Sequence, residues 1–495
     1  MSRAPLSLQA VAQRLRESQL LLDTRGPLDI SVTGVSQDSR AVSPGDLFLA
    51  WAGVDHDAHD FLPQAVAAGS VAAVVERIVP ELGATQLQVR DGRLAGALAA
   101  DAVMGSPWQH LFLGGVTGTN GKTTTTVLAR HLLQTRDDTA AIGTLGLVEC
   151  TGNVRPGTEG LTTPGPVQMS TWVRDLADAG VKALVLEASS HALAQYRLDG
   201  FRFDAVVFTN LGHDHLDYHA DLKEYRDAKA RLLELMKPRG WAVVFKDESA
   251  WAGVSFPRGQ TLTVGIDSDA DFRALDVELH AAGARFRLVG GDEEAPVRLP
   301  LLGRFNVENA LTAAGLAWAG GMSIPEIAEG LSEAPQVPGR LEVVVSEPFT
   351  VLLDFAHTPD ALERVLTTLK PLVAGRLLVL FGAGGDRDRG KRPRMGEVVA
   401  RLADVAFVTS DNPRTEDPDR IIDDVVAGMK GVGLRRVTDR REAIAEALTE
   451  ARPGDLLLLA GKGHESYQVI GREKLPFDEG GIVREILTRG KVASA

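Results

Sequence analysis

Apolar runs and polar loops alternate along this chain with a regular rhythm. "VKALVLEASS", "FDAVVFTNLG" and "WAVVFK" each hold an unbroken apolar stretch that gives way to small or polar residues. Such runs suit strands buried on both faces, because a strand with one wet face alternates apolar with polar positions. Helical patterns stand beside them, and the resulting βαβ rhythm predicts a parallel sheet covered by helices. Nearer the amino terminus, "GDLFLAWAG" and "VAAVVE" predict strands, and "FLPQAVAAG" predicts a short helix ended by Gly69. The stretch 260–300 is β-rich, and "FNVENALTAAGLAWA" after it has the spacing of a helix that stops at Gly320-Gly321. "PQVPGRLEVV" predicts a linker. Beyond it, "LLVLFGAGGDRD", "DVAFVTSDNPR" and "DLLLLAGKGHE" each run from strand to polar loop. Those three loops are expected together at the carboxyl edge of one sheet, where α/β proteins bind ligands.

The segment "FVTSDNPRTEDPDR" places Arg414 among Asp411, Glu416, Asp417 and Asp419. Pro413 and Pro418 predict a loop over 407–420 rather than a helix, since each ring fixes φ and removes a donor. By its residues alone, Arg414 is either one side of a solvated ion pair, worth little energy, or a ligand contact.

The sharpest local signal is "VTGTNGKTTTT". Gly118 and Gly121 let backbone N–H groups turn inward around phosphates, and the helix opening after them adds its positive end. Lys122 would reach the β- and γ-phosphates, and Thr123 would offer a hydroxyl to Mg²⁺. The pattern departs from the common phosphate loop, because Val116 stands where the first glycine belongs. Glu187 closes the strand in "LVLEASS", where a carboxylate can meet the same hard cation. "GHDHLDYHADLKEYRDAKARLL" gathers His213, His215 and His219 with Asp214, Asp217 and Asp221. A zinc site and plain surface histidines are both open for that cluster. Lys229, by its residues alone, is an ordinary exposed helix lysine.

With 495 residues the chain exceeds one ordinary domain, and roughly three are expected. The fold class is α/β in three domains. A smaller α/β domain spans 1–108, a central P-loop parallel-sheet domain 109–338, and a Rossmann-like domain 339–495. Composition narrows the function. A single cysteine, Cys150, excludes an intrachain disulfide framework and suits a reducing cytoplasm. A net charge of −13 argues against nucleic acid as partner, so any anion must be held by a few placed cations and backbone donors. No apolar run approaches the roughly 20 residues of a spanning helix, and no membrane insertion is expected.

"TGTNGKT" resembles the loop of the Mur ligases and of the related folylpolyglutamate synthetases, and "DHLDYH" followed by "DAK" is similar to the Mur tripeptide-synthetase pattern. The chain resembles the UDP-N-acetylmuramoyl-tripeptide synthetases of peptidoglycan assembly along nearly its whole length. That resemblance implies a cytoplasmic, monomeric, ATP-dependent amide ligase using two Mg²⁺ ions. Its partners would be ATP, UDP-N-acetylmuramoyl-L-alanyl-D-glutamate and meso-diaminopimelate. The D-glutamate γ-carboxylate would be activated as an acyl phosphate and attacked by the amine. The central domain becomes the ATPase unit, with Lys122, Lys229 and His215 as catalytic machinery. ATP would be held by Gly118, Thr119, Asn120, Gly121, Lys122, Thr123 and Thr124, with Asn306, Asn309 and Arg340. Metal would be held by Thr123, Glu187, His215 and a carbamylated Lys229.

The same resemblance gives the uridine nucleotide to Ser39, Thr162, Thr163, Ser189, Gln195 and Arg197. A β-turn for the threonines, a surface ion pair for Arg197 and a helix cap for Asn306 are the competing explanations. The family's "GHQ" feature is replaced by "GVDHDAHDF", so no contact is assigned to Val54–His56. "DNPR" implies diaminopimelate, with Arg387, Asp411, Asn412, Pro413, Arg414, Gly461 and Glu465 around it. An arginine fork suits the distal carboxylate that lysine and ornithine lack, and Glu465 suits the distal ammonium. For "DFAHTPDAL", with Asp354 and His357 at a strand end, the resemblance implies a segment that orients a closing domain on the nucleotide, and a buried, hydrogen-bonded histidine is the competing explanation. Two rivals stay open: another ligase of the superfamily or another amine, and a P-loop nucleotide switch without ligase chemistry.

Overall fold

The computed structural model describes residues 6–53, 56–157, 160–212 and 218–493. It divides into two compact units: 1–275 with 288–295 and 308–331, and 276–287 with 296–307 and 332–495.

The first unit holds two large sheets beside a two-stranded pairing of Leu6–Ser7 with Ser31–Val32. Near the amino terminus five strands lie in the order Leu21–Arg25, Thr85–Val89, Ala72–Val75, Asp46–Leu49, Gly34–Ser36. All pair in parallel except Leu21–Arg25, an antiparallel edge. Helices Leu8–Glu17 and Gly92–Val103 cover it through Leu8, Val11, Leu15, Leu98 and Ala99. The short helix Leu62–Ala67 ends as expected, with Gly69 at φ +110 supplying the left-handed turn.

In the second sheet the strand Phe112–Thr117 lies between Ala183–Glu187 and Phe203–Phe208, all parallel. The sheet continues outward through Thr139–Gly143 on one side and through Met236–Phe245 and Thr261–Gly265 on the other. Central burial explains why these strands read as apolar runs: Leu184, Val185, Leu186, Val206 and Val207 have no exposed surface. Their shared direction brings the residues after Thr117, Glu187 and Phe208 to one edge.

The second unit carries a six-stranded sheet ordered Glu342–Val345, Thr350–Asp354, Leu456–Ala460, Leu377–Phe381, Val405–Val408, Gly433–Arg436. Every neighbouring pair is parallel except the first. The loops after Asp354, Phe381, Val408 and Ala460 therefore share an edge, and the last three are those the sequence pattern places together. Two expectations need correction. The last three residues of the expected linker belong to the sheet's edge strand, Glu342–Val345. The loop expected over 407–420 ends early, because a helix runs from Pro418 to Val426. Proline is harmless at the first helical position, where its missing N–H has no partner to lose, and Asp417 caps the helix by accepting from Asp419 N.

Candidate functional site

In the first unit the chain leaves Thr117 and turns through Gly118 and Gly121, both at positive φ, into the helix Lys122–Gln134. Neither glycine can be replaced without collision: a Cβ on Gly118 would meet Thr209 Oγ1, and one on Gly121 would meet Asn309 Oδ1. The loop is pinned from the next strand, since Thr119 N donates to Asn210 O at 2.7 Å and Asn120 N donates to Asn210 Oδ1 at 2.9 Å. Lys122 folds back so that its ammonium donates to the carbonyls of Gly118 and Thr119 at 3.0 and 2.8 Å.

Glu187 is buried at the end of the adjacent strand. Its carboxylate accepts from Thr123 Oγ1 at 3.2 Å, from Thr144 Oγ1 at 3.0 Å and from Thr144 N at 2.9 Å. Gly143 makes room for it, because a Cβ there would overlap the carboxylate. The oxygen donors of Thr123 and Glu187 are of the kind a hard divalent cation takes.

Lys229 corrects the reading from residues alone. It lies near the end of the helix Leu222–Ala230 and is 1% exposed. Its ammonium donates to Gly118 O at 2.8 Å and stands 4.3 Å from the centre of the Tyr225 ring. Tyr225 Oη in turn bonds Thr119 Oγ1 at 3.2 Å. His215, with His213, Asp214 and Asp217, lies outside the described residues. His219 is buried among the rings of His191, Tyr218 and Tyr225. Among the described residues, no group of three His, Cys, Asp or Glu side chains could hold a metal ion.

Beside Glu187, Thr163 Oγ1 donates to Glu187 O at 2.7 Å and bonds Ser189 Oγ at 3.3 Å. Thr162 meets Thr144 across 3.4 Å. Arg197 donates to Thr163 O at 2.8 Å and to Gln195 Oε1 at 2.7 Å, a clamp on the threonine turn rather than a surface ion pair. Burial, and then the nearby Arg93 charge, lower the pKa of its guanidinium. Ser39 is buried and bonds Gln64 Oε1 at 3.1 Å. Two residues before it, Gln37 comes within 3.1 Å of where a Cβ on Gly165 would stand, so this segment borders the threonine turn. Asn309 faces Gly121, as described.

In the second unit Asn306 donates to Leu302 O at 2.8 Å, and the Arg340 guanidinium lies 4.8 Å from the Phe355 ring centre. Asp354 accepts from Leu341 N and Ala356 N at 2.9 and 2.8 Å. Burial raises its pKa and lowers that of His357, whose Nδ1 meets Phe355 O at 2.8 Å.

The loops at that sheet edge interlock. Asn412 Nδ2 donates to Glu465 Oε2 at 2.9 Å, while its Oδ1 accepts from Lys462 Nζ at 3.0 Å and Val469 N at 2.9 Å. Gly461, at φ +116, lies against Asp411. Arg414 has a left-handed backbone at φ +51. Its amide donates to Val469 O and its guanidinium to Gly385 O, the latter at 2.7 Å. A Cβ on Gly384 would lie 3.0 Å from Arg414 Nη1 and 3.7 Å from Arg387 Cγ, so the two arginines flank one glycine.

The acids around Arg414 are engaged elsewhere. Glu416 takes two bonds from buried Arg392, at 2.8 and 3.1 Å, and one from Asp386 N at 2.6 Å. Asp417 caps a helix, and Asp419 accepts from Thr438 Oγ1.

Comparison with known proteins bears directly on this geometry. Residues 116–317 match the Mur ligase middle domain, 339–463 the Mur ligase glutamate ligase domain, and 31–101 the Mur ligase catalytic domain. A UDP-N-acetylmuramoyl-L-alanyl-D-glutamate–2,6-diaminopimelate ligase of Gloeobacter violaceus is 42% identical over 485 residues, 97% of this chain and 99% of that one. The protein of the same name from Synechococcus elongatus is 44% identical over 93% of this chain and 95% of its own. The chain belongs to the Mur ligase family.

It is therefore an enzyme of the ATP-dependent ligase type. A solved structure of a UDP-N-acetylmuramoyl-L-alanyl-D-glutamate–2,6-diaminopimelate ligase agrees with it at TM-score 0.71 and 33% identity, covering 99% of this chain and all of that one.

Within this Mur ligase, sequence reasoning missed Thr144, Tyr225, Arg392 and Lys462. Lys462, between two glycines directly after a strand, carried a usable signal. Arg392 carried none, because "GKRPR" reads as a solvated basic run. Among the described residues no helix is long and apolar enough to cross a membrane.

Proposed function

We propose that this ligase joins meso-diaminopimelate to the D-glutamate γ-carboxylate of UDP-N-acetylmuramoyl-L-alanyl-D-glutamate in peptidoglycan precursor synthesis. The carrying observation is the loop cluster in which Arg387 and Arg414 flank Gly384 while Asn412 joins the Arg414 loop to Glu465. A distal carboxylate would meet the arginines and a distal ammonium would meet Glu465, a pairing that lysine and ornithine use only by half. The names of the relatives that match nearly the whole chain support the same reading.

The γ-phosphoryl group passes from ATP to the carboxylate, giving ADP and an acyl phosphate. The amine then attacks the acyl carbon, expels phosphate and loses a proton, leaving the amide. Gly118–Thr124 cradles phosphates with backbone donors, and Lys122 swings from the loop carbonyls to the transferred group. Asn306, Asn309 and Arg340 hold the rest of the nucleotide. Ser39, Thr162, Thr163, Ser189, Gln195 and Arg197 seat the uridine substrate, whose carboxylate must point toward Lys122.

Thr123 and Glu187 would hold one Mg²⁺, and a carbamylated Lys229, with His215 from outside the described residues, would hold a second; the ions would supply charge that offsets repulsion between phosphate and carboxylate. Carbamylation would turn a cation buried beside Gly118 into an anion suited to metal. Residues 1–108 would bind the nucleotide substrate, 109–338 ATP, and 339–495 the amine, in a cytoplasmic monomer.

The test offers meso-diaminopimelate, L-lysine and L-ornithine in competition with UDP-muramoyl dipeptide and ATP, and reads product mass. The diaminopimelate product should dominate, with ADP release nearly silent until nucleotide and amine are both present. Product from L-lysine alone would refute the amine assignment. ATP hydrolysis regardless of substrates would favour a nucleotide switch.

A further inference from the structure

Lys462 stands at the centre of the loop cluster with no exposed surface. Its ammonium donates to Asn412 Oδ1 at 3.0 Å and to Tyr467 O at 2.8 Å. It also lies 3.4 Å from Asp411 Oδ1 and 3.6 Å from Glu465 Oε2. A buried ammonium is costly unless it is hydrogen-bonded and paired; here two oxygens accept from it and two carboxylates face it.

The consequence falls on Asn412. Its Oδ1 faces two groups that can only donate, Lys462 Nζ and Val469 N, so the amide cannot be turned over. Its Nδ2 must then face Glu465 and hold Oε2, while Oε1 makes no hydrogen bond to the described residues. Lys462 also adds positive charge opposite Asp411 and Glu465, in a cluster that holds Arg387 and Arg414 as well. Losing that charge makes the pocket more favourable to a purely cationic end and weakens its preference for a zwitterionic one.

We propose that Lys462 is a specificity-determining positioning residue, which fixes Asn412 and Glu465 and sets the pocket's charge for a zwitterionic amine. This rests on the diaminopimelate reading above.

The experiment is Lys462→Met in the full chain, with kcat and KM for each substrate and product mass from mixed meso-diaminopimelate and L-lysine. KM for diaminopimelate should rise about tenfold or more, with the KM values for ATP and muramoyl dipeptide within about twofold. Preference for diaminopimelate over lysine should fall about tenfold as well. An equal rise in all three KM values, or an unchanged preference, overturns the proposal and leaves the function reading intact.

Should Lys462→Met fail to fold, Asn412→Asp decides. It keeps an oxygen for Lys462 but turns a repelling one toward Glu465, so its KM effect should largely vanish in the Glu465→Gln background. Additive effects would overturn the proposal. A wild-type enzyme that forms no diaminopimelate product removes the amine reading and this proposal together.

Discussion

The phosphate loop of the first unit and the loop cluster of the second both follow the carboxyl ends of parallel strands, yet they are made from different material. The first is chiefly backbone: two positive-φ glycines, N–H groups at a helix start, and a lysine folded on its own loop. Its parts lie within one short contiguous run, with Glu187 and Lys229 brought in from neighbouring elements. The second is almost all side chain. Asn412, Lys462, Glu465, Arg392 and Glu416 join loops that follow three different strands. A backbone cradle recognises any phosphate, because every residue but proline can supply an N–H. A side-chain lattice recognises one molecular end, and that selectivity depends on each member keeping its partner.

The contrast breaks most sharply at Lys229, a buried side chain that a neighbouring helix brings to the first region. Lys229→Ala is expected to lower turnover about a thousandfold or more while leaving the fold intact, since the truncated position can collapse onto Tyr225. A short carboxylic acid should restore part of the activity by occupying the place of the carbamate. Full turnover without additive would remove Lys229 from the chemistry and leave the first region a plain phosphate cradle.

Next in size is Arg414→Ala. The KM for meso-diaminopimelate should rise about a hundredfold, the loss expected for a desolvated carboxylate partner, with the KM for ATP nearly unchanged. Equal losses for both would mean that Arg414 serves loop shape alone. That outcome has a physical basis worth testing, because its amide and guanidinium also hold Val469 O and Gly385 O.

What could be read from the sequence follows the same division. Fully buried parallel strands announce themselves as apolar runs, and a glycine-lysine-threonine turn is local enough to be seen in one line. Chain pattern placed Arg414, Asp411 and Glu465 at one sheet edge. It did not show which acid serves which cation. Glu416 pairs with Arg392, 24 residues upstream, and nothing in "GKRPR" marks one of its basic residues as buried. The burial of Lys229 was hidden for a related reason: its helix is polar overall, and only the fold puts that residue beneath Gly118. Pro418 was misread because its cost depends on where in a helix it falls.

The smallest effect sharpens the comparison most directly, because it can be read region by region. Hydrogen bonds from Arg392, then from Asp386 N, hold the Glu416 carboxyl at a pKa of about 2, below its usual 4.5. A carboxyl whose pKa is lowered in the folded state stabilises fully above the unfolded value and loses that contribution as pH falls through the folded one. The window is therefore from about 4.5 down to about 2. Wild-type stability should decline across it more steeply than that of Glu416→Gln. The variant should be the weaker of the two at neutral pH, and the gap should close near the acid end. Local opening gives the decisive measurement. Amide exchange in the variant at neutral pH should quicken in 382–390 and 409–417, which Glu416 ties together, and stay as in wild type at 118–125. Quickening at both places would mean that the side-chain lattice is not the self-contained device its hydrogen bonds describe, and that the phosphate cradle depends on it.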